Sequence, residues 1–234
     1  MEPAAPYDYD SGEFPAFYCD AFGCEHVVLR KIRGELSVTI RGVEFSGDVD
    51  ELTTNLSQGS PELESFTFRP TPYGSFSGPD YIAYELAEYT LEWDMLISVS
   101  VQGCIETGTL TLRLRGLRNE PRSYPITTLI LRYSGGTSVT RVGEFESMLN
   151  LQKQLPEGDH IRACITCLFS DYWIAGQPLY GGMGCFVEIK DIYLSCQDKD
   201  DLINLWNNYE SPAVTETYLC PKFELRIPGT GYRG

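Results

Sequence analysis

The chain is short of positive charge, histidine and long apolar runs, and each shortage removes a class of function. Lysine and arginine number 18 against 33 acids, for a net charge of -15 over 234 residues. Binding to nucleic acid or to an anionic membrane rests on Lys and Arg, so this balance speaks against both. It favours fast association with a basic protein partner instead. No apolar stretch approaches ~18 residues, which excludes a membrane-spanning helix. The first twenty residues, MEPAAPYDYDSGEFPAFYCD, have neither a basic start nor an apolar h-region, so they do not read as a signal peptide. A cytoplasmic location is therefore expected, with its eight cysteines reduced.

Catalytic signatures are also missing. Histidine occurs twice, at His26 and His160. There is no GxSxG, HExxH, P-loop or dinucleotide-binding fingerprint. No catalytic residue is assigned. The nearest approach to an enzyme is a metal-stabilised site near residues 160–185, with Asp171, Tyr172, Trp173 and His160 beside the cysteines; that alternative stays open, as does a scaffold with no separable site.

What is present is β patterning. From Tyr89 to Val101 every odd residue is apolar and most even ones are polar. Strict period two over such a length predicts a long antiparallel strand with one buried and one wet face. Leu110, Leu112 and Leu114 repeat the pattern, with QGCIETG as the hairpin connection. Leu36–Ile40, Val43–Phe45, Phe66–Phe68 and Leu129–Tyr133 add shorter strands. The fold class is mainly β, α+β overall: an antiparallel β-sandwich with a C-terminal α+β module that contains cysteines. The division is an irregular, proline-interrupted arm at 1–26, the sandwich at 27–136, and the module at 137–234, packed as one unit with the sandwich. In the module, Phe145, Met148, Leu149 and Gln152 make one stripe of an amphipathic helix stopped by Pro156 and Gly158. Asp198 and Asp201 start a second, whose apolar face is Leu202, Leu205, Trp206 and Tyr209. Cys185, Val187 and Ile189 alternate as a strand, and Thr215–Leu219 is the last strand.

Four cysteines form a candidate structural zinc site: Cys164 and Cys167, a CxxC pair, with Cys185 and Cys220. Zinc takes four thiolates in a tetrahedron, and a tight turn brings a CxxC pair to one ion. Gly181, Gly182 and Gly184 precede Cys185 and allow a close backbone approach. Cys196 is an alternative to Cys185 or Cys220. Cys19, Cys24 and His26 are a looser set. The plainer alternative is a group of buried thiols that pack as small hydrophobes.

The stretches ACITCLFSDY, LYGGMGCF and TETYLCPKFELRIPGTGYRG resemble an uncharacterised bacterial domain family of unknown function, which ends in a similar Tyr-Leu-Cys-Pro…Pro-Gly-Thr-Gly-Tyr-Arg-Gly tail. The resemblance covers the last third of the chain. It selects the same four cysteines and implies no activity. Size and charge are similar to those of immunity proteins of polymorphic toxins, an analogy that suggests an immunity- or antitoxin-like binding role.

Overall fold

The structure is a computed structural model that describes residues 11–32, 35–48, 51–57, 59–70, 84–116, 126–142, 147–172 and 183–230. The described strands of the N-terminal part are β1 (Gly12–Asp20), β2 (Gly23–Ile32), β3 (Glu35–Ile40), β4 (Val43–Asp48), β5 (Glu51–Thr53), β6 (Thr67–Pro70), β7 (Tyr84–Ala87), β8 (Thr90–Val101), β9 (Cys104–Arg115), β10 (Ile126–Tyr133) and β11 (Gly136–Val142). Helix α1 (Ser147–Gln152) follows, then β12 (His160–Arg162), β13 (Ser170–Tyr172), β14 (Met183–Cys185), α2 (Lys190–Ser195), α3 (Lys199–Asn208) and β15 (Ala213–Val214). The protein is mainly β, built on one large antiparallel sheet with a smaller second sheet.

The large sheet runs β11-β10-β9-β8-β1-β2-β3-β4-β5-β7-β6. Residues from strands along its width share one core, which includes Phe45, Leu86, Trp93, Leu112, Leu129 and Leu131. Strand β8 is the organising element. Leu91, Trp93, Ile97 and Val99 are buried, while Asp94 and Leu96 are exposed. On the wet face Glu92 pairs with Arg113 directly across on β9. The β8–β9 turn is only Gln102 and Gly103, both at positive φ, shorter than the connection expected. One edge of β8 meets β9 along its whole length. The other edge is shared: Thr90–Trp93 pair with β1 and Ser98–Ser100 with β12.

The arm expected over 1–26 is corrected from Gly12 on, where the chain is strand. Pro15 misleads because a proline normally excludes itself from a sheet interior. Here β1 pairs with β8 only from Ala16 onwards, so the N–H that Pro15 lacks has no partner to lose on that side. Tyr7 and Tyr9 lie outside the described residues.

α1 packs on β10 and β11 through Met148 and Leu151; Phe145 lies outside the described residues. α3 starts as expected, with the Asp198 carboxylate accepting from the Asp201 N–H at 2.9 Å. Its apolar face is narrower than expected, since Leu202 and Leu205 are buried but Tyr209 is exposed. Two strands are corrected. After Cys185 the chain turns into a 3-10 segment at Val187–Ile189 that leads into α2. The last strand is the pair Ala213–Val214, and Thr215–Leu219 is irregular.

Candidate cysteine centre

The centre begins where β12 leaves the edge of β8. Ala163 is extended, and Cys164–Thr166 form a single 3-10 turn closed by the Cys167 N–H on the Cys164 carbonyl at 3.1 Å. The two cysteines of the CxxC therefore flank a tight turn, as their spacing predicts. The Ser170 hydroxyl donates to the same Cys164 carbonyl, and the Thr166 hydroxyl donates to the Ala163 carbonyl at 3.2 Å. β13 then pairs with β14, setting Ser170 opposite Cys185.

The C-terminal tail closes over this turn. Cys164 N–H donates to the Tyr218 carbonyl at 2.7 Å and Ile165 N–H to the Glu216 carbonyl at 3.1 Å. On the far side Leu168 N–H donates to the Glu224 carbonyl at 2.7 Å and Arg226 N–H to the Thr166 carbonyl at 2.9 Å. The Arg226 guanidinium also donates to the carbonyls of Cys167 and Ser170. Between these two sets of bonds the chain arches. Cys220 sits in that arch, where its carbonyl accepts from Phe223 N–H at 3.1 Å.

Cys164 and Cys167 are both buried, and Cys185 and Cys220 are half-buried. Cys164 belongs to the central core. Cys167 packs with Leu168 and Phe169 against Val187, Leu194 and Phe223. Burial pushes the Cys185 thiol up; a Val187 N–H on its sulfur opposes this, and the neighbouring Cys220 and Cys167 add to the rise. Cys185 thus lies within the field of two of the other three sulfurs. Lys222 feels the same group: Glu188 raises it most, and Cys185 and Cys220 contribute. Arg162 lies over the Phe223 ring and Lys190 over the Phe169 ring, at 5.3 and 6.0 Å. Four cations thus lie on or beside the segments that carry these cysteines, one of them, Lys222, ion-paired with Glu188. Among the described residues, no three His, Cys, Asp or Glu side chains already stand together as a ligand sphere.

The other sequence candidates fall elsewhere. Cys196 caps α2 and packs with Phe186, Tyr193, Leu202 and Leu205. Burial pushes its thiol up, and the charges it meets are those of Asp201, Asp171 and Asp198. It does not stand in for Cys185 or Cys220. Cys19 and Cys24 face each other across β1 and β2 and form a disulfide, against the expectation of eight reduced thiols. His26 stacks on Phe17. His160 is lowered chiefly by burial, while its donation to the Gly158 carbonyl and Asp159 act the other way.

Asp171 and Tyr172 are fully buried and belong to a polar seam that the sequence reading largely missed. Tyr193 OH donates to Asp171 Oδ2 at 3.3 Å, and Tyr172 OH donates to Glu216 Oε1 at 3.1 Å. The buried Lys31 ammonium donates to the Thr215 hydroxyl at 3.4 Å. One signal was present: Lys31 occupies an inward position in the alternation of Val27 and Leu29. A lysine there requires a polar partner from another element, and Thr215 of the tail supplies one. Trp173, Gly181 and Gly182 lie outside the described residues.

The fold is that of a β-rich protein whose C-terminal segment is laced onto the edge of one large antiparallel sheet. The chain belongs to DUF6304, a family of unknown function, whose model matches residues 12–170. The match covers the large sheet and ends just past the CxxC turn, so the tail lies beyond it. No curated protein and no solved structure matches the chain.

Proposed function

We propose that this protein is an acidic binding module of the immunity or antitoxin kind, which works in the bacterial cytoplasm by capping a basic protein. The observation that carries the reading is the surface of α2 and α3. Asp191, Asp198, Asp200, Asp201 and Glu210 are all exposed there, against Lys190 and Lys199. Between the helices lies an open cleft of about 200 Å³ whose lining includes Ile192, Asn204, Asn208 and Tyr209. Ile192 and Tyr209 are exposed apolar side chains within that acidic rim. Exposed apolar side chains within a rim where acids outnumber bases suit a basic partner: the charge speeds encounter and the apolar contacts hold the complex.

The reading is tested by affinity capture at graded salt, followed by Asp191→Lys with Asp200→Lys. The expected partner is a basic protein whose association slows as salt rises, because screening shortens the reach of exposed charge. The double charge reversal should abolish capture while the fold is kept, since neither carboxylate caps a helix. A tightest partner that is acidic, or nucleic acid held through this chain's own bases, would overturn the proposal.

A further inference from the structure

We infer that Cys164, Cys167, Cys185 and Cys220 bind one zinc ion as a structural centre that fastens the C-terminal tail to the edge of the large sheet. The inference does not depend on what the acidic face binds.

Three separate segments carry the four cysteines to the same corner of the fold. The 3-10 turn offers Cys164 at its first residue and Cys167 at its cap. Such a turn is what lets two thiols spaced by three residues reach one ion, since a straight strand would send them to opposite faces. The β13–β14 pairing carries Cys185 opposite Ser170, three residues beyond Cys167. The tail brings Cys220 in an arch whose two feet are bonded to the turn itself, at Cys164 and Ile165 on one side and Thr166 and Leu168 on the other.

The surroundings fit a thiolate cluster. Four thiolates on one Zn²⁺ carry a net charge of about -2, and a half-buried group of that charge needs cations or donors nearby. Arg226 donates to the Cys167 carbonyl of the turn, Arg162 and Lys190 lie over the neighbouring Phe223 and Phe169 rings, and Lys222, ion-paired with Glu188, acts on Cys185 and Cys220. The chemistry of the donor set selects the ion: four thiolates in a tetrahedron suit zinc, whereas magnesium and calcium take oxygen. Among the described residues no three such ligands already stand together, so binding requires the thiols to rotate between staggered side-chain states and draw together on the ion.

The test is elemental analysis of the purified full-length protein after incubation with zinc and desalting, beside X-ray absorption at the zinc edge. One zinc per chain with a shell of four sulfurs at ~2.3 Å is expected. Cys167→Ser and Cys220→Ser should each lower occupancy at least tenfold, whereas Cys104→Ser, which removes an exposed cysteine at the start of β9, should leave it unchanged. Because a serine variant could simply misfold, Cys220→His provides a second arm, since imidazole is a zinc ligand and metal should be retained. Chelation of the unaltered protein should raise amide exchange across 163–170 and 215–226 while β8 and β9 stay protected. Protein that takes up no zinc, a shell with fewer than three sulfurs, or zinc that survives the Cys167 and Cys220 substitutions would overturn the inference. So would zinc-free protein with Cys164 and Cys167 joined as a disulfide.

Discussion

Removing the Trp93 side chain tests the register on which the whole sheet is built. Trp93 is 2 % exposed and lies on β8 between Ala16 of β1 and Leu112 of β9. An indole buries roughly 150–250 Å², which at ~25 cal/mol per Å² is about 4–6 kcal/mol. The unfolded chain already hides part of that area, which trims the figure, and alanine retains a little of it. A cavity between two neighbouring strands adds back some cost, so Trp93→Ala should lose about 3–5 kcal/mol. For a chain of this size each kcal/mol moves the melting temperature by roughly 2–4 °C, so the expected drop is about 6–20 °C. The control is the next residue along the strand. Glu92 points to the other face and pairs with Arg113 in solvent, and an exposed pair of this kind is worth about 1 kcal/mol or less. Thermal and urea unfolding followed by circular dichroism would measure both. If Trp93→Ala stays within ~1 kcal/mol of the parent, or Glu92→Ala costs as much as Trp93→Ala, the assignment of inner and outer faces is wrong.

Two further outcomes follow from named contacts. Burial alone would raise the Asp20 carboxyl, but Arg41, Tyr18 and the Phe22 N–H all bond it and hold it below the usual carboxylate range. A depressed folded value means that its stabilisation is complete above the unfolded value of ~3.9 and is lost as pH falls through the folded one. Asp20→Asn should therefore cost about 1.5–3 kcal/mol at neutral pH and flatten acid unfolding below pH ~4; an unchanged acid profile would refute the assignment. Arg226→Ala should leave the Cys167 and Ser170 carbonyls without their guanidinium donor, at about 1–3 kcal/mol, and Arg226→Lys should recover only part, because an ammonium cannot fork to two carbonyls. Hydrogen exchange across 164–170 reads this directly, and equal protection in Arg226→Ala would show that the contact carries no weight.

What the sequence disclosed depended on the range of the physics involved. Period two over β8 is a local property, and it foretold the buried side of Leu91, Trp93, Ile97 and Val99. The Asp198 cap is equally local. The CxxC turn was legible because two thiols three apart have few uses other than flanking a bend. The edge of β8 was not legible. That β1 takes its first half and β12 its second is a pairing across sixty residues or more, and nothing in either strand names its partner. Cys185–Ile189 misled for the opposite reason: three apolar residues at alternate positions also fit the 3-10 segment and helix that form there. Gly184 marks the true constraint in that stretch, since a side chain on it would fall on the Trp206 ring and the Ser211 hydroxyl. The Cys19–Cys24 bond follows from a hairpin that the nearby prolines concealed.

The end of the family match at residue 170 raises the question of what completes the matched part in this chain. Its last strand, β12, finishes the edge of β8, and the turn after it carries the amides of Cys164, Ile165 and Leu168 and the carbonyl of Thr166. Every one of those four groups is bonded to residues 216–226. Left buried without the tail, they would cost about 1–3 kcal/mol each, together comparable to the whole stability of an ordinary domain at ~5–15 kcal/mol. The turn could escape that cost only by opening to water, which would expose Ile165, Leu168 and Phe169, now at most 7 % accessible. Lys31 points the same way, for the Thr215 hydroxyl that receives its buried ammonium also comes from the tail. Residues 12–170 of this chain are therefore a sheet whose edge is finished from outside the match. The cysteines divide at the same line, with Cys164 and Cys167 inside it and Cys185 and Cys220 beyond. A centre made of all four would couple the two parts where the backbone bonds already do, and would hold the tail against the turn even when those bonds open one at a time.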